Sequence, residues 1–475
     1  IYDSRKAAPG KVFVAMKGIR VDGHSFIPQV LKAGVRVLVT ERPVEEELKN
    51  SGLSEEELKQ VTVVMVEEGR HALALLSAAR FDHPAKKLVM IGVTGTKGKT
   101  TTTHMIRAIL LAAGKKVGMI GTTGTVIGDV VTPTLNTTPE SYELHQAFAQ
   151  MVEAGCEYAV MEVSSQGIKM HRTDGLYFNY AIFTNISPDH IGPGEHADFE
   201  EYLYYKTRLL NMCGIGLVNK DDKHAPQIIK AANCELYTYS EESKEADFVA
   251  SDIRYVSQPD FVGTEFHISG KYDMEVRLGI PGLFNVVNAL AAVSVCSFLG
   301  LDQARISHAL ENIRVNGRME IVYTSERCTV LVDYAHNAVS MESLLSTLRD
   351  YKPKRLVCVF GCGGNRSKDR RYSMGEIGGK MADLSIITAD NSRYEKVEDI
   401  IADIRGSIEK TGGKFIEIPD RREAIRYSIL HAQPGDMVAV IGKGHEDYQE
   451  INGVRHHFLD REVIEETVKE LGEKA

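Results

Sequence analysis

The stretch KLVMIGVTGTKGKTTTTHMIRAILLAAG, residues 87–114, constrains this chain more than any other. An apolar run of strand length leads into a turn holding Gly95 and Gly98. Beyond it Met105, Ile106, Ile109 and Leu110 recur at helical spacing until Gly114 stops the pattern. Strand, glycine turn and helix together aim backbone N–H groups and a positive helix end at an anion. The phosphate-loop pattern G-x-x-x-x-G-K-[ST] is met at its end by Gly98-Lys99-Thr100, but Val93 stands where it asks for glycine. In a phosphate loop, Lys99 neutralises β- and γ-phosphate oxygens and the Thr100 hydroxyl ligates Mg²⁺. An ordinary glycine turn would leave the joint placement of two glycines, a lysine and a threonine unexplained.

The surrounding pattern is α/β. From 88 to about 313, apolar runs such as KLVMIGV, KVGMI, EYAVMEV and YAIFTNI alternate with helical stretches. That predicts a mainly parallel sheet covered on both faces. Residues 1–87 hold the strand-like KVFVAM and VRVLVT, an acidic helical stretch at 43–60, a helix in HALALLSAARF and a linker, DHPAKK. From 314, VLVDYAH, RLVCVFGCGG, LSIITAD and DMVAVIGKG read as four strands, each ending in polar or glycine-rich residues, where open α/β sheets bind ligands. Three domains are therefore expected, at 1–87, 88–313 and 314–475, and 475 residues suffice for them. The net charge of −9 without a long basic run argues against nucleic acid as a partner. Seven scattered cysteines without CxxC spacing read as reduced thiols and give no zinc signature. No apolar run approaches the ~18 residues of a membrane span. The chain begins on Ile1 rather than Met, in what reads as a strand, so its natural start is expected to lie upstream.

Several side chains stand out at predicted strand ends. Glu162 in AVMEVSSQG would be costly to bury without a partner. With His190 of FTNISPDH and Thr100 it makes a candidate metal set, against the plainer reading of a hydrogen-bonded network. Lys206, among the tyrosines of FEEYLYYKTRLL, reads on its own as a half-buried lysine with a solvated head. Asp333 and His336 lie in VDYAHN; Arg366, Arg370 and Arg371 in FGCGGNRSKDRRYSM; Asn391, Arg393 and Glu395 in TADNSRYE; Lys443 and Glu446 in GKGHEDYQ.

Taken in order, DSRKAAPGKVFVAMKGIRVDGHSFI, GVTGTKGKTTTTHM, NTTPE, EVSSQGI, HR, FTNISPDHIG, FNVVNALAA, GRME, DYAH, FGCGGNR, DNSR and GKGHEDYQ resemble the Mur ligase family along essentially the whole chain. These are ATP-dependent amide-forming enzymes of bacterial cell-wall precursor synthesis. The opening DSR…DGH, the DN-x-R loop and GKGHE are most similar to members that add the third peptide residue. The resemblance implies a UDP-substrate domain, a central phosphate-loop ATPase-like domain and a C-terminal Rossmann-like domain binding the incoming amino acid. It implies ATP contacts from Gly95, Thr96, Lys97, Gly98, Lys99, Thr100, Thr101, Asn285, Asn288, Arg318, Asp333 and His336. It also implies Mg²⁺ held through Thr100, Glu162, His190 and Lys206, the last as a CO₂-derived carbamate; Lys99, Lys206, His190 and Glu162 are the implied catalytic set. Asn136, Thr137, Thr138, Ser164 and Arg172 match positions that hold UDP-MurNAc-L-Ala-D-Glu, and Ser4 and His24 match its UDP side. Arg371, Asn391, Arg393, Gly442 and Glu446 match the amino-acid site. Arg393 favours meso-diaminopimelate, whose far carboxylate it can grip; L-lysine offers only an ammonium there. Glu395 is an alternative partner for Arg393. The resemblance further implies a monomeric cytoplasmic enzyme.

The chain departs from the family pattern at Asn337-Ala338, Ser392 and Asn365, and by a longer HIGPGEHADFEEY segment. Competing readings are a folylpolyglutamate synthase or another muramyl ligase, a non-catalytic nucleotide-binding relative, and a phosphoryl-transfer kinase. The DSR…DGH front end argues against the first. Lys99, Thr100, Glu162, His190 and Lys206 together argue against the second. The third predicts a stable phosphorylated product and no need for an amine.

Overall fold

The computed structural model describes residues 1–18 and 21–472. The chain divides into two compact units, 1–247 with 294–299, and 248–293 with 300–475.

The first unit opens with a parallel three-stranded sheet, β1 (Val12–Val14), β2 (Val37–Thr40) and β3 (Thr62–Met65), paired in that order. The acidic stretch expected as one helix is two short ones, Glu45–Lys49 and Glu55–Leu58. Gly52, at φ 72°, turns the chain between them, and Ser54 and Glu57 close a capping box on the second. The main sheet holds β4 (Val89–Thr94), β5 (Val117–Gly121), β6 (Gly124–Ile127), β7 (Val130–Thr132), β8 (Tyr158–Glu162), β9 (Phe178–Phe183), β10 (Cys213–Asn219) and β11 (Glu235–Ser240). Their order is β11-β10-β9-β4-β8-β5-β6-β7. All pairs from β11 to β5 are parallel, and β6 and β7 add an antiparallel edge. The parallel strands are near-continuous apolar runs because both faces are covered. Met90, Ile91, Val93, Val160 and Met161 are wholly buried.

In the second unit, β12 (Phe248–Gln258), β13 (Phe261–Gly270) and β14 (Met274–Leu278) form an antiparallel meander. A six-stranded sheet follows, made of β15 (Glu320–Thr324), β16 (Cys328–Asp333), β17 (Arg355–Phe360), β18 (Leu384–Ile387), β19 (Phe415–Glu417) and β20 (Asp436–Ile441). Its order is β15-β16-β20-β17-β18-β19. Only β15 runs antiparallel. A two-stranded hairpin, β21 (Tyr448–Ile451) and β22 (Val454–His457), completes the unit. Among the described residues no helix is long and apolar enough to cross a membrane.

Candidate functional site

The phosphate-loop expectation falls where β4 ends. Val93, the departure from the strict pattern, is a buried strand residue opposite Glu162 and Ile182, so the turn begins only at Gly95. Gly95 has φ 145° and Gly98 has φ 87°. A Cβ on Gly95 would also collide with the Thr184 hydroxyl. Gly98 caps the helix Lys99–Ala112, whose N-terminus turns the positive end of the helix dipole toward the loop. Thr184 and Asn185, just past β9, clamp the loop. The Thr184 hydroxyl donates to the Lys97 carbonyl at 2.7 Å, and the Asn185 side chain accepts from Lys97 N–H at 2.9 Å. Both residues sit in the FTNISPDH motif, yet nothing in the motif alone separates loop clamps from site groups.

Lys99 Nζ donates to the carbonyls of Gly95 at 2.8 Å and Thr96 at 3.1 Å. Lys206 Nζ shares the same Gly95 carbonyl at 2.7 Å. The solvated head expected of Lys206 is not what forms: the residue is 2% exposed, and its ammonium lies 4.7 Å from the Tyr202 ring centre. Burial first, and then repulsion from Lys99, hold the Lys206 amine well below the usual lysine range against the pull of Asp189. Tyr202 anchors this corner through its hydroxyl, 3.1 Å from Thr96 Oγ1, and burial pushes its phenol up to about 12.

Glu162 ends β8 and is 1% exposed. Thr100 Oγ1 lies 3.0 Å from each of its oxygens, and Thr122 N–H donates at 2.9 Å. Gly121 leaves the space, since a Cβ there would meet the Glu162 carboxylate. Thr100 and Glu162 thus come together as expected. His190 does not join them: at φ 54° it turns outward, half-exposed, to Glu195 at 3.1 Å and Asp189 at 3.8 Å. The lengthened segment around it is folded by a bridge between Ile191 and His196, with His196 buried 2.9 Å from Ser165 Oγ.

The positions matched to the muramoyl-dipeptide lie along this same sheet edge. Thr137 Oγ1 is 3.0 Å from Thr122 Oγ1. Thr138 is buried, donating to the Glu162 carbonyl at 3.0 Å and accepting from Ser164 N–H at 2.9 Å. Ser164 caps the helix Ser165–Lys169, Arg172 pairs with Glu140 at 2.8 Å, and Asn136 is exposed. Ser4 begins a short turn capped by Asp3. His24 is buried, its Nδ1 2.6 Å from Asp22 and its Nε2 accepting from Glu41 N–H at 3.1 Å.

In the second unit, residues following β16, β17, β18 and β20 surround a cavity of about 280 Å³. Arg366, Arg370 and Arg393 line it with Asp390, Asn391 and Glu446, and Gly442 and His336 are part of the same wall. Arg393, at φ 52°, donates to the Gly364 carbonyl at 2.7 Å and pairs with Glu450 at 3.5 Å. The alternative partner Glu395 is instead 2.8 Å from Arg371, which also holds Asp403 at 2.9 Å. Arg371 is 1% exposed and lies outside the cavity lining; its neighbours Arg366 and Arg370 face it instead. Asn391 donates to Glu446 at 2.9 Å, and the fully buried Lys443 lies 3.3 Å from the same carboxylate. Asp333 accepts from Met319 and Ala335 N–H at 2.8 Å, and burial raises its carboxyl from the usual range. Arg318 stacks 4.8 Å over the Tyr334 ring, and His336 Nδ1 donates to the Tyr334 carbonyl at 2.9 Å. Asn285 donates to the Pro281 carbonyl at 2.7 Å and accepts from Asn288 at 3.2 Å.

The first unit thus carries a phosphate-loop sheet, and the second a Rossmann-like sheet with charged and polar groups at four strand ends. Residues 1–81 match the Mur ligase family catalytic domain, 93–296 the Mur ligase middle domain and 317–444 the Mur ligase glutamate ligase domain. The chain belongs to the Mur ligase family. It is 39% identical to the UDP-N-acetylmuramoyl-L-alanyl-D-glutamate–2,6-diaminopimelate ligase of Caldanaerobacter subterraneus subsp. tengcongensis, over 99% of this chain and 94% of that one. It is 38% identical to the ligase of the same name from Clostridium perfringens, over 98% and 93%. A solved structure of such a 2,6-diaminopimelate ligase, 30% identical, superposes with a TM-score of 0.74 over all of this chain and 95% of the other.

Proposed function

We propose that this protein joins meso-diaminopimelate to the D-glutamate γ-carboxylate of UDP-MurNAc-L-Ala-D-Glu, driven by ATP. The observation that carries the choice of amino acid is the cavity of the second unit. Its three guanidiniums and two carboxylates suit a molecule with two carboxylates and two ammonium groups, and its size suits an amino acid more than a nucleotide. The named relatives support the other substrates. On this reading residues 1–87 bind the UDP end, 88–313 bind ATP and 314–475 bring the amino acid.

The γ-carboxylate attacks the γ-phosphorus of ATP, giving an acyl phosphate and ADP. The amine then attacks the acyl carbon, and the tetrahedral adduct expels phosphate. Lys99 leaves its two loop carbonyls for phosphate oxygens, and the helix N-terminus behind it favours the same charge. Asn285, Asn288, Arg318, Asp333 and His336 hold the nucleotide. Asn136, Thr137, Thr138, Ser164, Arg172, Ser4 and His24 hold the UDP-linked acceptor.

The oxygen donors of Thr100 and Glu162 suit Mg²⁺, and His190 and carbamylated Lys206 would be its further ligands; the ion would neutralise phosphate charge. Lys206 is suited to carbamylation because its lowered pKa favours the neutral amine. Its nitrogen lone pair bonds to the carbon of CO₂, one C=O electron pair moves to oxygen, and the nitrogen proton leaves to solvent. The product puts an oxygen ligand where the neutral amine stood. We place the enzyme in the cytoplasm as a monomer, with its seven cysteines free.

The test is ADP release and product mass with UDP-MurNAc-L-Ala-D-Glu, ATP, Mg²⁺ and either meso-diaminopimelate or L-lysine. Use of L-lysine at least as well as meso-diaminopimelate overturns the amino-acid choice. Release of ADP without any need for an amine overturns the ligase reading.

A further inference from the structure

Two neighbouring carboxylates tie the helix Gly69–Arg80 to the turn that follows the helix Ser165–Lys169. Glu140 takes Arg70 at 3.4 Å and Arg172 at 2.8 Å. One residue before Arg172 and one after Arg70, a second pair converges: Asp174 Oδ2 lies 2.6 Å from His71 Nδ1 and 2.8 Å from His171 Nδ1. The Glu140 group is two guanidiniums on one carboxylate, an ordinary ion cluster. The Asp174 group differs in kind, because each imidazole carries a lone pair. Both histidines turn the same nitrogen onto a single carboxylate oxygen. The three donor atoms lie within 4.8 Å of one another, and the two rings meet edge to face at 6.2 Å. His171 holds a left-handed φ of 55°, a strained conformation for a residue with a Cβ. Nothing in the ligation chemistry uses His71 or Asp174.

We infer that His71, His171 and Asp174 form a binding site for a divalent transition ion of the zinc class, completed by water. Two imidazole nitrogens with one carboxylate oxygen select such ions over Mg²⁺, which prefers oxygen alone. Tetrahedral bonds of about 2.0–2.1 Å set donor atoms about 3.3 Å apart, so each ring draws back from the carboxylate by roughly half an ångström. The side chains have that freedom, being 51%, 39% and 24% exposed for His71, His171 and Asp174. Each ring turns the Nδ1 lone pair to the ion, with its proton on Nε2. The bound ion cross-links the helix Gly69–Arg80 to the turn that carries Arg172.

The test titrates Zn²⁺ into the full chain against a chromophoric chelator in millimolar Mg²⁺. His71→Ala and Asp174→Asn are compared with the wild type after circular dichroism shows that both fold. The expected result is a micromolar or tighter site in the wild type that weakens at least about tenfold in both variants. Zn²⁺ should raise the melting temperature of the wild type alone, and Co²⁺ should give a visible d–d absorption that both variants lose. Equal Zn²⁺ affinity and stoichiometry in the wild type and either variant would overturn the site. So would a wild type with no site tighter than about 100 μM.

Discussion

Replacing Arg393 separates the substrate reading of the second-unit cavity from a purely structural one. The guanidinium is 23% exposed, donates to the Gly364 carbonyl at 2.7 Å and lies 3.5 Å from Glu450. Losing one hydrogen bond and a long, partly buried ion pair costs about 1 kcal/mol of stability, so Arg393→Ala folds. Its effect on catalysis is larger. A carboxylate brought into the cavity without its guanidinium loses roughly 2 to 4 kcal/mol, or roughly 30- to 1,000-fold in kcat/KM for meso-diaminopimelate. Arg393→Gly sharpens the distinction. At φ 52° glycine relieves about 1 kcal/mol of backbone strain, so this variant should be as stable as the wild type and as impaired as Arg393→Ala. The assay is steady-state ADP release at varied amino acid, with urea unfolding beside it. Both variants within threefold of wild-type kcat/KM would refute the assignment of Arg393 to the substrate. A loss that tracks instability in Arg393→Ala and vanishes in Arg393→Gly would refute it equally.

Lys99→Ala should fold with stability within about 1 kcal/mol of the wild type, since its donations go to loop carbonyls, while ATP turnover falls at least about a hundredfold. Near-normal turnover in the folded variant would remove the phosphate-loop role. Lys206→Ala should be nearly inactive and partly restored by formate or acetate, with Lys206→Arg inactive throughout; an unmodified Lys206 by mass spectrometry in a fully active enzyme would end the carbamate proposal. His145 is 2% exposed, neither ring nitrogen has a partner among the described residues, and burial lowers it to about 4. Its stabilising neutral form is intact above the unfolded value of 6.5 and is lost as pH falls through about 4, a difference of roughly 3 kcal/mol. His145→Leu should flatten that part of the pH dependence of unfolding, and an unchanged slope would show that other groups set it.

The parallel strands were legible because burial on both faces writes them as unbroken apolar runs ending in polar residues. β4, β8, β9, β16, β17, β18 and β20 all carry that mark. The meander β12 to β14 was not legible: polar residues such as Arg254, Glu265 and Arg277 interrupt its strands, so no continuous apolar run marks them. Glu162 was found because a carboxylate at the end of a buried run needs a partner. The burial of Lys206 was not, since a lysine among tyrosines looks alike whether its head reaches water or a carbonyl 111 residues away in the chain. The alternative pairing of Glu395 with Arg393 fails for a similar reason. Two residues from Arg393 in sequence, it belongs in space to Arg371. His190 shows the converse: its motif position is at the strand end as expected, but a left-handed backbone turns it aside.

Gly95 bears on how this sequence can drift over generations. Its carbonyl accepts from two lysine Nζ groups, its φ of 145° suits glycine, and Thr184 fills the space where any side chain would begin. Backbone conformation, steric clearance and charge placement are three independent filters acting on a single codon. A substitution there cannot be compensated by one second-site change, because relieving the clash with Thr184 leaves the backbone demand in place. Val93, two residues earlier, faces only the ordinary demands of a buried strand. On that contrast position 93 should accept other apolar residues, whereas position 95 should accept glycine alone.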